Sequence, residues 1–139
     1  PVLETSNQIV EADSTKYVPS LVGAKGSANE ASAISTLKVL HGAEITYQAT
    51  KGAGNFGELT QLSQSQLISA DLGSGQKSGY KFVLSKKDAS SNVPATFNVT
   101  AVPLVSTGGR SFYIDEMGVI HAAKKSGLPA DKTDPTLND

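Results

Sequence analysis

The run Gly52-Ala53-Gly54-Asn55-Phe56-Gly57 spells G-x-G-x-x-G, and Asp71 follows nineteen positions after Gly52. In a dinucleotide-binding unit such glycines let backbone approach a pyrophosphate, and the acidic residue takes a ribose hydroxyl, but only between a strand and a helix N-terminus. Here a helical pattern leads in. The stretch therefore reads as a loop that ends a helix, and no nucleotide or other cofactor is expected. His41 and Glu44 lie three apart on that helix, with His121 far downstream. Two imidazoles and one carboxylate are too few for a zinc site, and a single histidine at a helix–sheet boundary ordinarily just hydrogen-bonds there. No Gly-x-Ser-x-Gly elbow accompanies either histidine, so nucleophilic catalysis has no support and no enzyme is expected. Asp131, Asp134 and Asp139 offer carboxylate oxygens, yet calcium takes about 6–8 ligands in a folded loop. With Lys132 among them, a solvated acidic tail without metal is expected. Asn98-Val99-Thr100 matches a glycosylation acceptor but falls inside an alternating strand pattern.

The elements that position these residues must fit in one domain, since the chain has 139 residues. Twelve Lys+Arg against thirteen Asp+Glu give a net charge of -1, which leaves no basic field for nucleic acid or anionic lipid. Cysteine is absent, which excludes disulfides and thiolate chemistry without reporting the compartment. No apolar run approaches the ~20 residues that span a bilayer, so no membrane contact is expected of this stretch. Pro1 is not an initiator residue, and removal of a leading segment is expected.

Residues 1–27 are polar and carry Val18-Pro19, which predicts an extended arm or linker. From residue 28 the pattern becomes helical. Ser27 or Asn29 can cap the start, and Ala31, Ile34, Leu37, Leu40, Ala43, Glu44 and Tyr47 recur at steps of three and four to about Thr50. Lys51-Gly52 then ends the helix, Gly52 being able to take a left-handed cap. Leu59, Leu62 and Leu67-Ile68 predict one short second helix. Beyond the Gly73 to Gly79 turn region the period falls to two, in Tyr80, Phe82, Leu84 and again in Phe97, Val99, Ala101. A closing hairpin joins Phe112–Ile114 to Val119–Ala122; pairing Ile114 with Val119 would place Phe112, Ile114, Val119 and His121 on one face, unless a bulge intervenes. The tail, residues 124–139, holds Pro129, Pro135 and little apolar surface, and is expected to be loosely held. The resulting fold class is α+β: one long amphipathic helix packed on an antiparallel sheet of about four strands, with residues 28–123 as the head. Its expected core is Ile34, Leu37, Leu40, Tyr47, Leu62, Tyr80, Phe82, Phe97, Phe112 and Ile114.

Three stretches resemble one family. Ala28-Asn29-Glu30-Ala31-Ser32-Ala33-Ile34-Ser35-Thr36-Leu37-Lys38-Val39-Leu40, continuing through Ala43 to Tyr47, is similar to the membrane-distal half of the long helix in type IV pilins and type II secretion pseudopilins. Phe56-Gly57-Glu58-Leu59-Thr60-Gln61-Leu62, followed by Lys77-Ser78-Gly79-Tyr80, resembles their loop and first strand, and Arg110 to Ile120 resembles their final hairpin. The resemblance implies a filament-building subunit of the cell envelope or a surface filament. Its partners would be other pilin or pseudopilin subunits, met through an apolar N-terminal helix that is missing from residues 1–27. The isolated chain would then be monomeric. The rival reading is a soluble extracytoplasmic binding module built on the same kind of head.

Overall fold

The alternation read from Tyr80 and from Phe97 becomes two paired strands in the computed structural model, which describes residues 17–105 and 109–137, with backbone alone for residues 17–27. The elements are α1 (Tyr17–Ala49), α2 (Leu59–Gln64), α3 (Ala70–Gly73), β1 (Gln76–Lys77), β2 (Tyr80–Lys87), β3 (Thr96–Pro103), β4 (Ser111–Asp115) and β5 (His121–Ala123). All five strands form one antiparallel sheet in the order β1-β2-β3-β4-β5, and α1 packs across β3 and β4. The fold is α+β, and the fifth strand beyond the expected four is the two-residue β1.

Register decides which side chains meet α1. β2 pairs with β3 from Tyr80↔Pro103 to Lys87↔Thr96, and β3 with β4 from Ala101↔Phe112 to Asn98↔Asp115. With a period of two, this puts Tyr80, Phe82, Phe97, Val99, Ala101, Phe112 and Ile114 on the buried face and Lys81, Val83 and Ser85 on the outer one. From the helix, Ala33, Thr36, Leu37, Leu40, Ala43 and Glu44 close the core. Of the expected core residues, Ile34 and Tyr47 are half-buried against this cluster, Leu62 is buried with the strand residues, and Ala31 of the expected helical stripe is exposed.

Four sequence expectations differ from the structure. The helix begins at Tyr17, ten residues before Ser27, and so replaces the arm expected over residues 17–27; residues 1–16 lie outside the described residues. Pro19 falls in its first turn, where a backbone N–H has no helical partner to lose. The single short helix is two, α2 and α3. Between them Gln66 turns left-handed (φ 63°), and Leu67 donates back to the Leu62 carbonyl at 3.0 Å. The hairpin pairs Tyr113 with His121 and Phe112 with Ala122, one residue away from the expected Ile114–Val119 register. That slip moves His121 to the face opposite Phe112 and Ile114. Finally, the tail is tied down. Thr136 bridges to His121, the Ala122 N–H donates to the Pro135 carbonyl at 2.9 Å, and the Leu137 N–H donates to the Ile120 carbonyl at 2.7 Å. Backbone pairing and the burial of Ala130 at 2% exposure supply what the tail's sparse apolar residues did not announce.

Candidate functional site

Each glycine of the G-x-G-x-x-G run has a structural reason, close packing for Gly52 and Gly57 and backbone conformation for Gly54. A Cβ on Gly52 would stand 2.0 Å from the Asn55 carbonyl oxygen and under 3 Å from Tyr47, and one on Gly57 would stand 3.0 to 3.1 Å from the Tyr47 ring. Gly54 is left-handed at φ 99°, after Ala53 at φ 48°. Gly52 itself is not, so the left-handed turn comes later than the sequence suggested, and what Gly52 supplies is room. The loop's donors turn inward: Gly52 N–H to Tyr47 O (2.7 Å), Gly54 N–H to Gln48 O (2.9 Å), Asn55 N–H to Gly52 O (3.0 Å) and Gly57 N–H to Glu44 Oε1 (2.7 Å). They wrap the loop around Tyr47 at the C-terminal end of α1. Asp71 stands in the first turn of α3.

Gly52→Ala is therefore expected to destabilise the protein by about 1–3 kcal/mol, because the loop has no free direction for a methyl group. Gly42, on the exposed side of α1 with nothing within 4 Å of where a Cβ would stand, is the control. There Ala is expected to stabilise by about 0.5–1 kcal/mol through helix propensity. Urea midpoints of the two variants should move in opposite directions; a shared direction would mean the loop is not packed as described.

Glu44 sits beneath this loop at 0% exposure. Burial pushes its carboxyl up to about 7 from the usual value near 4.5, against the lowering pull of the Gly57 N–H; the charge of Glu58 adds to the rise and that of Lys86 opposes it.

A second cluster joins the Asn29–Glu30 end of the packed helix to the sheet. Glu30 Oε2 accepts the Arg110 N–H at 2.7 Å, and its Oε1 accepts Arg110 Nη2 at 3.2 Å and Nε at 3.3 Å. The Tyr80 hydroxyl donates to the Arg110 carbonyl at 2.6 Å. Burial, then the Glu30 charge, pushes that phenol up to about 12, with Arg110 opposing. The Arg110 guanidinium also lies 5.4 Å from the Phe112 ring centre. Gly109 (φ 130°) makes the approach possible, since a Cβ there would come 2.6 Å from Glu30 Oε2. Glu30 and Arg110 are eighty positions apart, and no local pattern in the sequence signals their meeting.

The aspartates of the tail are occupied with their own turn. Asp131 accepts the Thr133 N–H at 2.9 Å and also its hydroxyl. Asp134 accepts the Asp131 N–H at 2.9 Å and pairs with Lys125 at 2.9 Å. The Thr133 hydroxyl holds the Asp131 carboxyl below the usual range, and Lys125 does so for Asp134. Asp139 lies outside the described residues. His121 Nδ1 is 2.7 Å from the Asp134 carbonyl oxygen, which makes it the donor.

The three residues weighed as a zinc site are thus spread apart. His41 Nε2 meets the Glu116 carbonyl at 3.3 Å, Glu44 meets Gly57, and His121 meets Asp134 across the sheet. Among the described residues no three His, Asp or Glu side chains gather as metal ligands, and no helix is long and apolar enough to cross a membrane. Asn98 stays within β3, paired with Ser85 on one side and Asp115 on the other. What these groups do is fasten loops to α1 and to the sheet. Compared with known proteins, the chain matches no family model, no curated sequence and no solved structure.

Proposed function

We propose that the chain is the head region of a type IV pilin or type II secretion pseudopilin, a structural subunit of an envelope or surface filament rather than an enzyme. The observation that carries this reading is the proportion of helix to sheet. α1 has 33 residues, about 50 Å at 1.5 Å per residue, whereas its longest strands have eight, about 27 Å. Contacts from Asn29, Glu30 and Ser32 to Tyr47 fasten the C-terminal part of the helix to the head. A helix that outreaches its sheet suits a subunit joined to others along helices. The order of the three family-like stretches supports the same reading. In such filaments the association energy comes from long apolar helical surfaces shielded from water, and the 139 residues contain no apolar run of that length.

The chain by itself is accordingly expected to be monomeric in light scattering up to tens of micromolar. The same chain with an apolar helix of about 20 residues fused ahead of Pro1 is expected to join filaments visible by electron microscopy. Ordered filaments from the 139 residues alone would reject helix-driven assembly. A fused chain that never enters filaments, but binds an extracytoplasmic ligand, would favour the binding-module reading. The coding sequence ahead of Pro1 gives the cheapest check, a short basic leader with an apolar helix being the expected result.

A further inference from the structure

One carboxyl group in this protein is sealed from water without being satisfied. Glu44 Oε1 accepts the Gly57 N–H at 2.7 Å, while Oε2, equally buried, has no hydrogen-bond partner. An ionised carboxylate has about four lone-pair sites and is costly to hold dry with one of them filled; a neutral acid asks for far less. The charged groups that face it come from two elements. Glu58, at the start of α2, disfavours ionisation; Lys86, on β2, favours it but is engaged with Asp88 at 2.8 Å. On its own helix, His41 is turned to the Glu116 carbonyl, and Tyr47 is wrapped by the glycine loop. The cover over the carboxyl is the segment Phe56-Gly57. It is held by the hydrogen bond to Glu44 itself and by the Phe56 ring, set edge-on at 4.6 Å to Phe97.

We propose that Glu44 is a proton-linked latch: as the neutral acid it stays sealed beneath Phe56-Gly57, and on losing its proton it takes up water at Oε2, a gain that outweighs its single bond to the Gly57 N–H, by releasing that segment and exposing Phe56. The raised affinity for its proton places the transition near neutrality. The loop is the part that yields because it is a connection without strand pairing, whereas the other walls of the site are α1 and the sheet. Oε2 gains its missing partners from water only in the open state.

The experiment is amide exchange followed by NMR on the full 139-residue chain at about pH 5 and about pH 8, corrected for the intrinsic pH dependence of exchange. In the wild type the Phe56 and Gly57 amides are expected to lose at least about tenfold in protection at the higher pH, and to be less protected there than Val99 and Ala101 in β3. Glu44→Gln, which keeps an acceptor for Gly57 but cannot ionise, is expected to abolish the loss. The same pH response in Glu44→Gln, or loop amides exchanging in step with β3 at both pH values, would overturn the proposal. Should Glu44→Gln not fold, a carboxyl-carbon titration of wild-type Glu44 decides: a midpoint well above the ordinary carboxylate range supports the latch, and one inside that range ends it.

Discussion

Phe97→Ala is expected to destabilise the protein by about 3–5 kcal/mol, the range for emptying a buried aromatic site. Phe97 is 1% exposed on the helix-facing side of β3. Its ring meets Phe56 at 4.6 Å and His41 at 6.0 Å, and its N–H donates to the Glu116 carboxylate at 3.2 Å. One side chain thus joins the glycine loop, α1 and the sheet, and its backbone fastens the β4–β5 connection. A cavity at such a junction cannot be closed by a shift of one neighbour without parting others. Val83→Ala, on the outer face at 44% exposure, is expected to stay within about 0.5 kcal/mol of wild type. Denaturant titrations give both values. Equal midpoints for the two variants would mean that α1 does not cover this face of the sheet.

The stability of the protein is expected to fall as pH rises from about 4.5 to about 7, by an amount on the order of 3 kcal/mol from Glu44 alone. The sign follows from proton counts: across that window the folded state keeps the Glu44 proton while the unfolded chain has lost it, so raising the pH favours unfolding. Below about 4.5 both states are protonated, above about 7 both are ionised, and the dependence is flat. Asp131 and Asp134 act in the opposite sense and lower down. Their carboxyls are held below the usual range in the folded chain, so their contribution is lost as pH falls through the acid region. Urea unfolding of wild type and Glu44→Gln at about pH 5 and about pH 8 separates the effects, with the two chains close in acid and the variant more stable by about 2 kcal/mol at the higher pH. Parallel profiles would show that Glu44 ionises freely.

What was legible in the sequence was whatever a local period dictates. Tyr80, Phe82, Phe97, Val99 and Ala101 alternate, and a strand buried on one face has to be read that way; Leu37 and Leu40 repeat at the helical spacing. The start of α1 was hidden because Pro19 reads as a breaker, although in a first turn it removes nothing. The side taken by His121 depends on a single residue of register in the β4–β5 hairpin, which alternation alone does not set. The tail was missed because backbone pairing of Pro135 to Leu137 with Ile120 to Ala122 leaves no apolar signature. The helical spacing of Glu44 places it on the inner stripe. That its second oxygen would find no partner depends on the path of the glycine loop, which the helix pattern does not contain. The Glu30–Arg110 clamp lies beyond any window of local reading.

The bridge between Thr136 and His121 also closes one margin of the sheet. β5 has three residues, and the unpaired backbone groups along any strand at the margin of a sheet are open to pairing with another chain. Here the protein's own last described segment fills that place, with Pro135 contributing only its carbonyl. At the opposite margin β1 covers Tyr80 and Lys81 of β2, and the Phe82 N–H donates to the Gly75 carbonyl at 2.6 Å. Lysines at 81, 86 and 87 charge that strand, which discourages the addition of a foreign strand there. Among the described residues, both margins of the sheet thus carry a feature that discourages merging with the sheet of another copy. If copies assemble as proposed above, the array is then one of faces and helices laid side by side, with each sheet kept finite within its own chain.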